Sequence, residues 1–312
     1  LIKNIYFKYK AKLYKKSIKY KKIMEKKKRS TTDNYILQPK VTAIIESFNS
    51  EKSTYQIIKN LVQIKEIEEI ILIVDGSIDK TIEKCIPLLE KKNHFILYSN
   101  DIFEIRAYNR AMKMAYGDYI VLLQDDDLPS IDGDWVRDAV RIFDENRDIG
   151  ILGGRNGLWL NPINPEEFTD GKYTFDPVSK LAEAKGLLSY YVFDAISLKR
   201  EYKYVMAVNR APMWIRRELL LKIGYLDESY APLMCDDLEI SLRAWQNNYK
   251  VAIYKMKVFE RVSMGGTGIY SNYVSAQGLK NHQKVYSTFG EFIKTFKENI
   301  DIPQEYDPFF EE

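Results

Sequence analysis

Short apolar runs alternate with amphipathic stretches along residues 41–123, and each run ends in polar or glycine-containing residues. The apolar runs predict strands over residues 41–45, 70–74, 94–98 and 119–123. Apolar positions at helical spacing predict helices over residues 54–64, 81–91 and 104–116. Strands that alternate with helices of about a dozen residues imply βαβ units. The pattern therefore predicts an α/β fold with a mostly parallel central sheet flanked by helices.

The last of these strands runs directly into three carboxylates, Asp125, Asp126 and Asp127. Ligand sites in such sheets lie beyond the carboxyl ends of the strands. Two like charges about 4 Å apart repel by roughly 4 kcal/mol at a protein surface, so solvent or a cation must relieve them. Carboxylate oxygens suit Mg²⁺ or Mn²⁺, which commonly also hold substrate phosphates. The alternative interpretation is a solvated acidic turn.

The charge of the chain is unevenly divided. The formal net charge is +3, yet residues 1–29 contain thirteen Lys or Arg against a single Glu. The remaining residues keep 34 of the 47 basic and 43 of the 44 acidic side chains, a net charge of −9. We expect no nucleic-acid binding by so acidic a region, because duplex affinity depends mainly on Lys and Arg at phosphates.

The basic segment has apolar residues at helical spacing, which predicts an amphipathic helical arm over residues 1–29 and a linker to residue 39. Such a helix lies on anionic membranes, where each basic residue contributes about 1 kcal/mol. The alternative is packing on the rest of the chain or on another subunit. The sequence has no apolar run long enough for a membrane span. Only Cys85 and Cys235 are present, which predicts a reducing, cytoplasmic location, with peripheral membrane contact through the arm.

Six segments resemble, in order, the motifs of family 2 glycosyltransferases of the GT-A fold. They are residues 41–49 (VTAIIESFN), residues 74–81 (VDGSIDKT), Asn109 with residues 117–127, and residues 216–218, 224–228 and 235–243. The resemblance covers roughly residues 41–265. It implies inverting transfer of a sugar from a nucleoside-diphosphate sugar to a hydroxyl of a glycan, glycolipid or glycoprotein, with Mn²⁺ or Mg²⁺.

The sequence departs from the family pattern at three places. Val74 stands where the family usually has an Asp that contacts the base, so the base is not specified. Gln124 replaces the usual first Asp of the acidic motif, which shifts the Asp-x-Asp pattern to Asp125 and Asp127. The histidine that often ligates the metal after the last strand has no counterpart, and Glu260 in that region is a candidate oxygen ligand.

The donor site follows from this resemblance. Asp127 is the predicted metal ligand, and Asp125 helps directly or through the ribose. Arg106 and Arg110 are candidate diphosphate contacts, with a solvated helix face as the alternative. The full set of predicted donor-binding residues is Ser47, Phe48, Asn49, Asp75, Arg106, Asp125 and Asp126.

Sugar transfer also needs a base that takes the acceptor proton, on the side opposite the metal. Asp236 and Glu239 have the spacing of a capping box, which leaves Asp237 available for proton transfer. Asp237 also matches the second acid of the family's paired-acid motif. Asp237 is therefore the predicted base, Asp236 is the second candidate, and a purely structural pair is the third.

The acceptor side is expected between the two acidic motifs. Candidate contacts are Trp159, Asn209, Arg210 and Trp214, although large aromatic side chains are more often core residues. We predict a mobile loop over residues 263–268, a helix over residues 273–298 and a loose acidic tail beyond Asp301.

The predicted domains are an arm and linker (1–39), a glycosyltransferase domain (40–265, with donor half 40–145 and acceptor half 146–265) and a C-terminal segment (266–312). Two other functions stay open. A nucleotidyltransferase also uses paired acids, although the first strand is not followed by a phosphate loop. A catalytically silent carbohydrate-binding module on the same fold is the other.

Overall fold

Strands of the central sheet come from both halves of the predicted domain. In this computed structural model, residues 40–162, 188–210, 212–256, 259–261 and 271–310 are described. The strands in chain order are β1 (Val41–Ser47), β2 (Ile67–Asp75), β3 (Asn93–Ser99), β4 (Tyr119–Leu123), β5 (Asp127–Pro129), β6 (Ile149–Gly153), β7 (Asn156–Pro162), β8 (Leu188–Asp194), β9 (Tyr202–Tyr204), β10 (Ala207–Val208), β11 (Met213–Arg216), β12 (Lys250–Tyr254) and β13 (Phe259–Arg261).

The helices pack around these strands. They are α1 (Glu51–Leu61), α2 (Thr81–Leu89), α3 (Phe103–Met114), α4 (Asp134–Glu145), α5 (Arg217–Ile223), α6 (Asp236–Gln246), α7 (Ser271–Lys294) and α8 (Phe296–Asn299). Short 3₁₀ turns cover Ala195–Ser197, Glu228–Tyr230 and Gln304–Tyr306. The helical arm predicted for residues 1–29, the linker, the passage 163–187 and the loop 263–268 lie outside the described residues. Within the described part, no helix is both long and apolar enough to cross a membrane.

The central sheet has eight strands in the order β3-β2-β1-β4-β11-β6-β12-β9. The four predicted strands form its first half and pair in parallel. In the other half, β11 and β9 run against their neighbours. The expected α/β fold with a mostly parallel sheet is confirmed, and two antiparallel strands are added to it. Ile45 pairs with both Leu72 and Leu123, so the carboxyl ends of β1, β2 and β4 meet at one edge.

Close packing fixes where β4 begins. The Gly117 N–H donates to Thr42 Oγ1 at 3.0 Å. A Cβ on Gly117 would lie 2.6 Å from that oxygen and 2.7 Å from the Thr42 nitrogen, so only glycine fits there. Thr42 Oγ1 in turn donates to the buried Glu69 Oε2 at 2.6 Å. These contacts hold β4 beside β1, and they determine where the acidic segment leaves the sheet.

Helix α1 begins three residues before its predicted start. Its first N–H group, on Glu51, donates to Asp79 Oδ2 at 2.8 Å. Asp79 Oδ1 accepts the N–H of Thr81 at the start of α2. One carboxylate from the β2–α2 loop therefore caps two helices. The local sequence before α1 does not reveal this cap, because it comes from a residue 28 positions away.

The C-terminal tail packs on the domain, so the prediction that it is loose is wrong. The buried amine of Lys203 donates to the carbonyls of Glu305, Asp307 and Phe310 at 2.8, 3.1 and 3.2 Å. Tyr306 stacks on the ring of Tyr202 at 4.7 Å. A buried ammonium group needs hydrogen-bond acceptors, and the tail supplies them. The predicted helix over residues 273–298 is present as α7 and α8.

Candidate active site

The loops after β1 and β2 are joined at the edge where the strands end. The Asn49 N–H donates to Ser77 Oγ at 3.0 Å, and Ser77 Oγ donates to the Ser47 carbonyl at 3.1 Å. The Ile78 N–H donates to Asn49 Oδ1 at 2.9 Å. Asn49 has a positive φ of 50°, a conformation that Asn tolerates better than most residues. The predicted donor loop 47–49 and the β2–α2 loop therefore form one surface.

The acidic segment lies against this surface. Asp125 Oδ2 accepts the N–H of Phe48 at 3.1 Å. The side chains of the segment are inside the fold, since Asp125 is 9% exposed and Asp126 and Asp127 are each 3% exposed. Burial raises the pKa of Asp125 against the lowering effect of its hydrogen bonds to Ser50 and Phe48. The alternative of a solvated acidic turn is wrong, because all three residues are buried.

Asp127 is the first residue of β5, which pairs antiparallel with β13. In that pairing Glu260 is opposite Leu128, next to Asp127. The chain segment that stands in place of the family histidine is therefore beside the acidic motif, and the ligand role of Glu260 stays a prediction. Arg155 Nη1 lies 3.5 Å from Asp127 Oδ1. No motif in the sequence singles out Arg155, which brings a positive charge to the predicted metal ligand.

The acidic segment suits a hard divalent cation that takes only one or two of its ligands from the protein. Within the described residues, no group of three or more His, Cys, Asp or Glu is placed to hold a metal. Mg²⁺ and similar ions are commonly held by one or two carboxylates and take their other ligands from water and substrate phosphates. The buried carboxylates of Asp125 and Asp127 fit that arrangement.

Asp75 has a structural role in addition to its predicted donor contact. Its Oδ1 accepts the Ile102 N–H at 3.0 Å and its Oδ2 accepts the Phe103 N–H at 2.8 Å. Asp75 is 2% exposed, and these bonds satisfy orphan donors at the start of α3. The donor contact of Asp75 stays a prediction. Arg106 and Arg110 are exposed on α3, and Arg106 Nε lies 4.0 Å from Glu228 Oε2.

A cavity of about 280 Å³ opens beside the acidic segment. Gln124, the residue before Asp125, lines it together with Asp237 from the start of α6. The residue directly before the first acidic segment and the acids of the second motif, more than 100 positions apart in the sequence, therefore line one cavity. Its other lining residues are Glu104, Leu158, Tyr190, Val192, Asn209, Arg210, Met234, Cys235, Asp236, Leu238 and His282.

The capping box predicted for Asp236 and Glu239 is wrong. The residue before the helix is Cys235, and it makes no side-chain cap. The carboxylate of Asp236 instead pairs with the guanidinium of Arg210. Glu239 Oε1 and Oε2 accept from Arg243 Nε and Nη2, each at 2.7 Å. A tertiary ion pair of Asp236 and an i,i+4 ion pair of Glu239 within α6 therefore stand in place of the local cap.

Asp237 is held by backbone N–H groups, and its role as the base stays a prediction. Its Oδ1 accepts the Leu238 N–H at 2.9 Å and its Oδ2 accepts the Arg210 N–H at 3.3 Å. Burial and repulsion from Asp236 raise the pKa of Asp237 from 3.8 to about 7, although the Arg210 charge lowers it. A carboxylate whose pKa lies near neutral pH is suited to take a proton.

Arg210 connects the two sides of the cavity. Its Nη2 lies 2.9 Å from Glu104 Oε1 and its guanidinium is 4.8 Å from the centre of the Tyr108 ring. Burial raises the pKa of Glu46 well above its usual value, and among the charges that act on it Glu104, which raises the pKa, and Arg210, which lowers it, have the largest effects. Sequence reasoning missed Glu46, Glu104 and Tyr108. The available signal was Glu46, an acid directly after five buried residues of β1, four of them apolar.

Residues 42–158 match the family model described as glycosyl transferase family 2. The resemblance to family 2 glycosyltransferases is confirmed. No curated protein matches the sequence.

Two solved structures resemble the chain in fold. The mannosyltransferase PcManGT from Pyrobaculum calidifontis, in complex with GDP-Man and Mn²⁺, is 16% identical with a TM-score of 0.54, covering 88% of this chain and 69% of that chain. S. aureus TarS 1–349, in complex with UDP, is 16% identical with a TM-score of 0.50, covering 84% and 76%. The expected GT-A fold is confirmed.

The family resemblance also explains Asn109, which the motifs include. Asn109 Oδ1 accepts the Leu226 N–H at 2.9 Å, and Asn109 Nδ2 donates to the Leu226 carbonyl at 2.8 Å. The side chain thus joins α3 to residues 224–228, another of the resembling segments. Similarly, Arg216 is 4% exposed and donates to the carbonyls of Ile149 and Phe143. These motif residues hold the glycosyltransferase fold together.

Two acceptor residues predicted from the sequence are core residues. Trp214 is fully buried, packs on Trp135 and donates from Nε1 to Tyr254 Oη at 3.2 Å. Trp159 is 3% exposed and packs edge-on against Phe296 and Phe309. The prediction that their rings stack on a sugar is wrong, because both are enclosed by other side chains. Asn209 and Arg210 do line the cavity beside Asp237.

Proposed function

We propose that this protein transfers a sugar from a nucleoside-diphosphate sugar to an acceptor hydroxyl. The observation that carries the proposal is the shared cavity, where Gln124 beside the acidic segment and Asp237 on α6 line one space. A donor held by the acidic segment and an acceptor beside Asp237 would meet there. Proximity of this kind is a large part of transfer catalysis, because it replaces an encounter between two separate reactants.

The donor would bind over the joined loops, with residues 47–49 and Asp75 on its nucleotide side. The GDP-Man and Mn²⁺ of PcManGT and the UDP of TarS support a nucleotide-sugar donor and a divalent cation. Asp127 and Asp125 would hold Mn²⁺ or Mg²⁺, which when bound offsets the charge that develops on the leaving diphosphate. Arg155 brings a positive charge to the same place.

Asp237 is the proposed base. It takes the proton of the acceptor hydroxyl while that oxygen attacks the anomeric carbon and the diphosphate leaves from the opposite face. A direct displacement of this kind inverts the anomeric configuration. The raised pKa of Asp237, about 7, suits the proton transfer, because the carboxylate is both ionised and basic near neutral pH. Asp236 instead holds Arg210 in place.

The test is incubation of the full chain with a panel of nucleotide-sugars, Mn²⁺ and simple glycoside acceptors, with diphosphate release followed over time. We expect release of a nucleoside diphosphate and a new glycoside of inverted configuration. A nucleotidyltransferase would instead release pyrophosphate from a nucleoside triphosphate. A silent module would bind the nucleotide-sugar and release nothing. Either result would overturn the proposal.

A membrane role for the basic arm also belongs to the proposal. Thirteen basic residues among positions 1–29 favour contact with an anionic bilayer, which would suit a lipid-linked acceptor. We expect the full chain, but not a form that lacks residues 1–29, to sediment with anionic vesicles at low salt. Binding by both forms alike would contradict this role.

A further inference from the structure

The cavity beside Asp237 carries an excess of negative charge. Among its described lining residues, the carboxylates are Glu104, Asp236 and Asp237, and the guanidinium of Arg210 is the one permanent cation. Glu46 lies close enough for its pKa to be affected by Glu104 and Arg210, so a fourth carboxyl borders the same cluster.

Arg210 is already engaged by carboxylates and is not available to a second anion. Its Nη1 pairs with Asp236, and its Nη2 lies 2.9 Å from Glu104 Oε1. The Arg210 side chain is 4% exposed, so these pairs are shielded from water. Breaking one of them to bind an anionic ligand would leave a buried carboxylate without its partner, which costs several kcal/mol.

The N-terminus of α6 cannot provide the missing positive charge either. A helix N-terminus ordinarily attracts anions through its backbone N–H groups. The first turn of α6 already holds the carboxylates of Asp236, Asp237 and Glu239. Asp237 Oδ1 also accepts a backbone N–H of this turn, from Leu238. The chain's own acids therefore occupy the position where a ligand anion would bind.

The same cavity offers polar groups that suit hydroxyls. The carboxylate of Asp237 can accept from an O–H group. Asn209 supplies both an amide donor and a carbonyl acceptor at the cavity wall. Sugar hydroxyls both donate and accept, whereas a carboxylate or phosphate group only accepts.

We propose that this cavity takes the uncharged end of a sugar acceptor and rejects acceptors that carry a carboxylate or phosphate there. This inference rests on the proposed function, because it assigns the cavity to the acceptor. Electrostatic selection of this kind acts by repulsion of the wrong ligand as much as by attraction of the right one. Like charges placed side by side repel, so binding of the wrong ligand should be at least about tenfold weaker.

The test compares methyl glycosides in matched pairs that differ only at C6: glucoside and glucuronide, galactoside and galacturonide, mannoside and mannuronide. Binding to the full chain is measured at pH 8 by ligand-observed NMR without any donor. We expect the neutral member of at least one pair to bind, and its uronide to bind at least about tenfold more weakly. Equal binding within each pair that binds, or no binding by any glycoside, overturns the proposal.

Two variants test whether the cavity carboxylates cause the preference for neutral glycosides. Glu104→Gln removes one negative charge and releases Arg210 Nη2, so the ratio of neutral to uronide affinity should fall. Glu201→Gln is the matched control, because Glu201 is exposed and pairs with Arg141 on α4. That variant should keep the ratio. A ratio unchanged by Glu104→Gln in a folded protein overturns the proposal.

A second measurement tests the proposal even if the Glu104→Gln variant does not fold. In the unmodified protein, the ratio of neutral to uronide affinity should be smaller at pH 6 than at pH 8, because Asp237 is mostly protonated at pH 6. A ratio that does not change with pH overturns the proposal. These experiments need no turnover. Failure to release diphosphate from any nucleotide-sugar removes the proposed function, whereas the charge preference is judged on binding alone.

Discussion

The two acidic motifs lie at the same edge of the sheet, yet their carboxylates have different partners. Asp125, after β4, accepts a backbone N–H from Phe48, and Asp127 lies beside the partly exposed Arg155. At the start of α6, Asp236 takes the buried guanidinium of Arg210. Asp237 is left with two backbone N–H groups. Residues of one chemical type therefore have different properties, which their neighbours set.

This difference fits the proposed roles of a metal ligand for Asp127 and a base for Asp237. A carboxylate that holds a metal must stay ionised and in position. A carboxylate that takes a proton must have a pKa near the working pH. Asp236 and burial raise the pKa of Asp237, and Arg210 limits that rise. The arrangement gives Asp237 a proton affinity that an isolated aspartate lacks. Each of the following experiments changes one side of the comparison.

The largest effect is expected from Asp127→Asn. The substitution keeps the shape of the side chain and removes its charge from the predicted metal site. Lewis-acid stabilisation is worth several kcal/mol, so turnover should fall by about 10³-fold or more. Affinity for Mn²⁺ with a nucleoside diphosphate, measured by calorimetry, should fall with it. Asp301→Asn, at an exposed position, is the control. Normal turnover of Asp127→Asn at saturating Mn²⁺ would contradict the metal role.

Asp237→Asn should impair proton transfer from the acceptor and leave donor binding unchanged. Loss of a general base typically lowers turnover by about 10²- to 10⁴-fold. Nucleotide affinity should not change, because Asp237 faces the acceptor cavity. The measurement is steady-state turnover together with calorimetric titration of the nucleoside diphosphate. An equal loss of nucleotide affinity would show that Asp237 belongs to the donor side.

Much of the donor half could be predicted from the sequence, because its signals are local. Uninterrupted apolar runs predicted the four parallel strands, and all four are present. Parallel strands have their carboxyl ends at one edge of the sheet, so the position of Asp125 to Asp127 at that edge could be predicted as well. The matched family segment, residues 42–158, covers this same half.

The acceptor half depends on contacts between distant residues, which periodicity does not show. Arg210 contacts Glu104 across 106 positions and Asp236 across 26, and neither pair has a local pattern. The assumed cap at Asp236 was wrong because a buried guanidinium outcompetes backbone donors for a carboxylate. Trp159 and Trp214 were named as acceptor candidates, with core packing as the alternative, because the sequence alone does not distinguish a stacking ring from a core ring.

A smaller effect is expected on the pH dependence of turnover. Because Arg210 lowers the pKa of Asp237, Arg210→Gln should move the acid limb of the pH–rate profile to higher pH. A rise of about one unit would lower the ionised fraction at pH 7 about fivefold. Arg210→Lys keeps the charge and should restore much of the profile. Arg137→Gln, on the exposed face of α4, is the control. A uniform loss at every pH would indicate a purely structural role for Arg210.

The smallest effect concerns stability. The pKa of Asp237 in the folded protein, about 7, lies above its ordinary value of 3.8. Between these values the folded protein binds a proton that the unfolded chain releases, so the stability due to this group falls as pH rises through that range. At pH 8 the fold must hold an ionised carboxylate beside Asp236. Asp237→Asn removes that charge and should therefore raise the Tm at pH 8 by about 2–4 °C, the change that about 1 kcal/mol gives in a domain of this size. At pH 5, where Asp237 is protonated, the gain should be smaller. Scanning calorimetry at both pH values measures this difference in Tm. If the variant loses stability equally at both, the hydrogen bonds of Asp237 stabilise the fold more than its charge destabilises it.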